Sequence, residues 1–197
     1  MTMRVPFLDL RAQYVSIRTE IDGAIQSVID EAAFVRGRFV RDFERQFAKA
    51  HSVRHCVGVA NGTDALAVAL YAAGIGKGDE VITAANSWIG SAEAATMVGA
   101  DSVLVDVEPD YFNLNPDLLE AAITSQTRVI MPVHLYGQPA AMSEITAIAT
   151  AYGLIVVEDA AEAHLAEIDG KKVGSFGQSA TFSFYPGKNH RLHPSTI

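Results

Sequence analysis

Residues 154–188 read LIVVEDAAEAHLAEIDGKKVGSFGQSATFSFYPGK, and the fold follows from how this stretch begins and ends. It opens on an apolar run, mostly β-branched, that stops at the acidic pair Glu158 and Asp159. It closes on a second apolar run, ATFSFY at 180–185, followed by Pro186, Gly187 and Lys188. Continuous apolar runs of this kind suit parallel strands covered by helices on both faces. Open α/β sheets collect their reactive groups at the carboxyl ends of the strands. Asp159, His164 and Lys188 are therefore expected near one another at one sheet edge. Singly, each has an ordinary explanation, since strands often end in Asp and a lysine in a Pro-Gly turn is usually solvated. Jointly, a carboxylate and a lysine so placed suit pyridoxal phosphate. The lysine joins it as a Schiff base, and the carboxylate pairs with its pyridinium nitrogen.

Composition narrows the class. The chain has 197 residues, 49% of them hydrophobic, which is enough for one packed domain. A net charge of −8 without a basic cluster excludes nucleic acid as the expected partner. No apolar run reaches membrane-spanning length, so no membrane is expected. The opening MTMRVPFLDLRAQY lacks the apolar centre of a signal peptide, and a cytoplasmic location is expected. Cys56 is the single cysteine, so neither a disulfide framework nor a thiolate metal site is expected, and its apolar surroundings read as core.

In chain order, VPFLDLRAQY reads as an irregular arm and residues 17–34 as a helix whose Ile17, Ile21, Ile25, Val28 and Ile29 dock one apolar face on a neighbour. Residues 38–50 read as a second helix. HCVGVA at 55–60 reads as a strand that Asn61-Gly62-Thr63-Asp64 turns into a helix. Gly62 lets the backbone bend, Thr63 or Asp64 can cap, and the free N–H groups of the helix start attract anions. Further strands are expected at 79–86, 102–109 and 128–137. Helices are expected from Ser87 to near Gly99, from Asn115, and from Met142 to Tyr152. This alternation indicates a doubly wound α/β domain with a largely parallel sheet. Trp88 reads as core or as a plate for a ligand, and His134 as a structural residue or a pocket lining.

EDAAEAH at 158–164, VGSFG at 173–177 and ATFSFYPGKN at 180–189 together resemble the DegT/StrS-type (DegT/DnrJ/EryC/StrS) sugar aminotransferases. These are fold-type I pyridoxal-phosphate enzymes that aminate nucleotide-linked keto-sugars. The likeness runs from Val5 to about Asn189. It implies the large domain of that fold, with the C-terminal part missing. The division is an arm and helix at 1–35, a partial cofactor-binding domain at 36–189, and a divergent tail at 190–197. It implies that Lys188 carries the cofactor and then acts as general base, and that Asp159 holds the pyridinium. It assigns the cofactor phosphate to Gly62, Thr63 and Ser183, and the stacked aromatic to Trp88. It places Glu162 and His164 in the pocket, although many family members carry glutamine where Glu162 stands. L-glutamate as amino donor, a nucleotide-sugar acceptor and a homodimer are implied as well. HLYGQPA at 134–140 resembles members acting on 3-keto-sugars.

After Asn189 the family pattern is a glycine-rich run, another strand and a C-terminal domain. Residues 190–197 lack that pattern, which points to a truncated or frame-shifted reading with weak or no turnover. His190 and His193 have metal-like spacing but read as a polar tail. Two other readings stay open: a non-catalytic fragment or regulatory partner, and another fold-type I enzyme such as a dehydratase or decarboxylase.

Overall fold

The computed structural model describes residues 6 and 8–188. The start of the expected arm, Asn189 and the tail with His190 and His193 lie outside the described residues. The chain runs through α1 (Leu10–Asp30), α2 (Arg38–Ala50), α3 (Gly62–Ala72), β1 (Glu80–Ala84), α4 (Ile89–Met97) and β2 (Asp101–Val105). It continues through α5 (Leu119–Ala122), β3 (Thr127–Met131), α6 (Met142–Tyr152), β4 (Ile155–Asp159), the short pair β5 (Glu167–Ile168) and β6 (Lys171–Lys172), and β7 (Ser179–Thr181). Five strands form one sheet in the order β2-β1-β3-β4-β7, every neighbour parallel. The order reverses at β1, and in such sheets ligands bind beyond the carboxyl ends of the strands near that switch.

Strand parity builds two apolar layers. Val81, Val129, Met131 and Val157 pack with Leu66, Ala67 and Leu70 of α3 and Ala94 and Ala95 of α4. Ile82, Ile130 and Val156 pack on the other face with Leu119, Met142, Ile145 and Ala149. Each fully buried aliphatic side chain of this kind contributes about 1.5–3 kcal/mol. The same alternation sends Glu158 and Asp159 to opposite faces.

Helix ends follow local chemistry. The Asn61 side chain, and not Thr63 or Asp64 as expected, caps α3 by accepting the Asp64 N–H at 2.9 Å, while Gly153 at φ 67° ends α6 in the left-handed conformation that costs glycine least. The bounds of α2 and α6 are those read from the sequence.

Four features differ from the expectations among the described residues. First, α1 starts at Leu10 rather than Ile17, because the Asp9 carboxylate caps it by accepting the Ala12 N–H at 2.8 Å; the backbone is non-helical only at Ile17. Second, its apolar face is undocked among the described residues, with Ile21, Ile25 and Ile29 exposed. Third, 55–60 is no strand, and Val57 and Val59 are exposed. A strand is a paired state, and no described strand lies beside this run to supply a ladder. Fourth, the final run is strand only over Ser179–Thr181, with Phe184 and Tyr185 exposed. A feature absent from the expectations is the β5–β6 hairpin. Its turn residues Asp169 and Gly170 both have positive φ, 52° and 77°, the Asp-Gly signature of a tight hairpin.

Candidate functional site

The carboxyl tip of β4 ends on Asp159, on the α3/α4 face. Its Oδ2 accepts the Ser91 hydroxyl at 2.7 Å and its Oδ1 accepts the Ala161 N–H at 3.2 Å. Asp159 is 5% exposed. Burial pushes its carboxyl above the usual carboxylate range, and the Ser91 hydroxyl, the Ala161 N–H and the Lys188 charge pull back only part of the way. An acid so placed favours a cationic partner.

Lys188 stands near enough for its charge to act on Asp159. Its ammonium pairs with Glu162 Oε1 at 2.8 Å, and Glu162 Oε2 accepts the Tyr136 N–H at 3.0 Å. Tyr136 has φ 53°, a left-handed conformation that bulky residues avoid, so the carboxylate anchors a strained turn. The Lys188 backbone closes a turn on the Tyr185 carbonyl at 2.9 Å.

The start of α3 meets the chain beyond β7. A Cβ placed on Gly62 would lie 3.1 Å from Ser183 Cβ and 3.5 Å from its hydroxyl oxygen. The first intrahelical bond is Ala65 N–H to the Asn61 carbonyl at 3.0 Å, and the Asn61 side chain takes the Asp64 N–H. The amides of Gly62 and Thr63 therefore head the helix, where N–H groups and the helix dipole attract anions. A Cβ on Gly90 would lie 2.7 Å from Thr63 Oγ1 and 2.9 Å from Trp88 Cδ1. Gly62, Thr63, Ser183, Trp88 and Gly90 thus form one cradle. Trp88 precedes α4 and is 74% exposed, an indole face open to a ligand.

The two histidines have their own neighbours. The Ala140 N–H donates to His134 Nδ1 at 3.0 Å, so Nε2 carries the ring proton and donates to Glu158 Oε2 at 3.2 Å. Glu158 also accepts N–H groups of Gly174, Phe176 and Gly177 at 2.8, 2.8 and 2.7 Å. Burial pushes the Glu158 carboxyl up, but His134 and these amides outweigh it and hold it below the usual range. Of the readings open for His134, the geometry is the structural one. His164 packs against the rings of Phe184, Phe182 and Phe47 at 5.0, 5.4 and 6.2 Å.

Ser87, Ser91 and the Tyr136 amide were not singled out from the sequence. Ser91 follows Trp88 by one helical step, and that i, i+3 spacing is the signal that could have found it.

The donor set suits a phosphorylated pyridine aldehyde: an anion seat at a helix start with a hydroxyl, an aromatic plate, a buried acid and a lysine. The cradle at Gly62 and Gly90, which a Cβ would fill, fits the approach of such a group to backbone.

Residues 15–191 match the DegT/DnrJ/EryC1/StrS aminotransferase family. A dTDP-3-amino-3,4,6-trideoxy-alpha-D-glucose transaminase of Streptomyces venezuelae is 47% identical over 188 residues, covering 95% of this chain and 50% of that protein. The fold superposes on S. venezuelae DesV, solved in complex with a ketimine intermediate, with TM-score 0.92 and 48% identity, over 95% of this chain and 51% of that one. It also superposes on the ntda protein of Bacillus subtilis, solved with bound cofactor PMP, with TM-score 0.87 and 34% identity, over 96% and 43% of the two chains. The chain spans about half the length of the curated relatives it matches.

Proposed function

We infer the function from one premise: the chain belongs to the DegT/DnrJ/EryC1/StrS aminotransferase family. From it we propose that the protein carries the pyridoxal-phosphate half-site of a transaminase that moves an amino group from L-glutamate to a nucleotide-linked keto-sugar. The observation that carries this reading is the pairing of β4 with β7 through Asp159 and Thr181, which sets Asp159 beside the strand that leads to Ser183 and Lys188. The relative's dTDP-3-amino sugar supports the nucleotide-sugar class and favours amination at carbon 3.

When bound, the cofactor supplies an electron sink for the pair left at a deprotonated Cα. In this proposal the chain's residues do the rest. Asp159, with both oxygens anchored, keeps the pyridine nitrogen protonated by charge pairing where water is excluded. The Gly62 and Thr63 amides and the Ser183 and Thr63 hydroxyls seat the phosphate. Trp88 fixes the plane of the ring, worth about 0.5–1.5 kcal/mol beyond buried area. Lys188 would hold the cofactor, and its free amine would move the proton as general base. Its pair with Glu162 holds that amine near the pocket. His164, set among phenyl rings, backs the pocket wall.

The division at 1–35, 36–189 and 190–197, a homodimer and a cytoplasmic location belong to the same proposal. Among the described residues no helix is long and apolar enough to cross a membrane.

The test is direct. Protein mixed with pyridoxal phosphate is expected to gain the absorption band of lysine-bound cofactor, and borohydride is expected to fix it on Lys188. Lys188→Arg is expected to lose that labelling. A label on another residue, or none, overturns the reading.

A further inference from the structure

The buried acid is tied by a hydrogen-bond chain to the turn that carries the aromatic plate. Ser91 is 2% exposed, and its hydroxyl lies 2.7 Å from Asp159 Oδ2 and 2.8 Å from the Ser87 hydroxyl. Ser91 donates to Asp159, as it must whenever the carboxylate is ionised and has no proton to give. It can then only accept from Ser87, and the direction of the chain is fixed as Ser87 to Ser91 to Asp159. The Ser91 N–H also donates to the Trp88 carbonyl at 3.0 Å. One residue therefore holds the acid by its side chain and the aromatic by its backbone.

We propose that Ser87 and Ser91 are positioning residues, a hydroxyl chain that keeps Asp159 ionised and aimed at the cofactor's ring nitrogen while locking the Trp88 turn to the same acid. The inference rests on the pyridoxal-phosphate reading of the site. The physical logic is that of a buried charge: in a medium of low polarity each donor to the carboxylate counts more, and successive donors polarise one another. The Ala161 amide holds the second oxygen at the longer distance of 3.2 Å. Ser91 is therefore the stronger of the two anchors and the one whose loss leaves an oxygen buried without its donor. The other titratable groups acting on the acid are Lys188 and His134.

Two measurements on the 197-residue chain test this. The cofactor dissociation constant is read from the absorption of lysine-bound cofactor across pH. The titration of the Asp159 carboxyl is read by carbon-13 NMR without added cofactor. Ser91→Ala is expected to weaken cofactor affinity about 10-fold or more, the worth of a bond to a charged group. It is also expected to move the Asp159 titration further upward. Ser91→Thr, which keeps the hydroxyl, is expected to restore both, and Ser87→Ala to give a smaller change in the same direction. Should Ser91→Ala fail to fold, Ser91→Cys keeps the volume with a weak donor and must show the same two shifts. Lysine-bound cofactor in the parent chain, with affinity and carboxyl titration unmoved in these variants, overturns the positioning role alone. No cofactor band in the parent chain overturns the reading of the site; the carboxyl titration then still decides whether Ser91 governs Asp159.

Discussion

Lys188 Nζ sits 2.8 Å from Glu162 Oε1, and the other oxygen of that carboxylate holds the Tyr136 amide at 3.0 Å. The candidate cofactor lysine is thereby pinned by a carboxylate to the strained turn after β3. Attachment of an aldehyde needs the lysine nitrogen to leave this pair. Glu162→Gln keeps a carbonyl acceptor but removes the charge. We expect cofactor attachment at neutral pH to become about 2- to 5-fold faster, the scale of a partly exposed ion pair. Stopped-flow absorbance measures this, and an unchanged or slower rate counts against the pinning.

Asp159 carries a stability cost that its proposed function explains. Its folded value is raised, so between 3.8 and that value the folded state holds the proton more tightly than the unfolded chain. Stability from this group is therefore present at low pH and falls as pH rises through the raised value. Asp159→Asn is expected to remove that fall and to raise the melting temperature of the cofactor-free chain at neutral pH. A gain of about 1 kcal/mol corresponds to about 2–4 °C at this size. Cofactor binding is expected to be lost in the same variant. A lower melting temperature at neutral pH would contradict the cost.

His51 sets a separate acid sensitivity. It is 1% exposed, its Nδ1–H donates to the Val173 carbonyl at 2.9 Å, and its Nε2 has no hydrogen-bond partner among the described residues. The rings of Phe47 and Phe182 lie at 4.5 and 4.4 Å. Burial depresses its folded value below 6.5, with the Val173 bond opposing and the Lys172 charge assisting. As pH falls below 6.5 the unfolded chain takes the proton first, so stability drops from there down to the depressed folded value. His51→Phe is expected to flatten melting temperature against pH in that window, at a cost of about 1 kcal/mol for the lost bond. The contribution of Glu158 is lost only lower, as pH falls from 4.5 through its depressed value. An unchanged slope between pH 6.5 and 5 in His51→Phe would exclude His51 as its source.

Gly90 separates stability from binding. Alanine there suits a helix better by about 1 kcal/mol. Its Cβ would press on Thr63 Oγ1 at 2.7 Å and Trp88 Cδ1 at 2.9 Å, both side-chain atoms that can rotate away. Gly90→Ala is expected to keep or raise the melting temperature while weakening cofactor affinity, as calorimetric titration would report. Unchanged affinity would show that Thr63 and Trp88 do not form the seat.

Much of this was legible in the residues. The bounds of α2 and α6 are local signals that the structure repeats, whereas the cap of α3 was sought at Thr63 or Asp64 and is Asn61. The hairpin at Asp169-Gly170 was equally local and was overlooked beside the louder motifs around it. The run at 55–60 misled because apolar, β-branched composition reports a willingness to pair, and pairing needs a neighbour. The apolar face of α1 was legible from its period, but periodicity defines a face, not what covers it.

From the sequence alone come the doubly wound α/β alternation, an acid at a strand tip, a lysine past the last strand and a glycine-led helix start. Each depends on contacts within a few residues. Tertiary structure alone decided that Asp159 rather than Glu158 faces α3 and α4, that Glu158 serves His134 and the 174–177 loop, that Ser91 holds the acid, and that Glu162 pairs with Lys188. Strand parity makes neighbouring acids point apart, but which face meets which helix is set by the order in which distant strands join the sheet, and no local window contains that order.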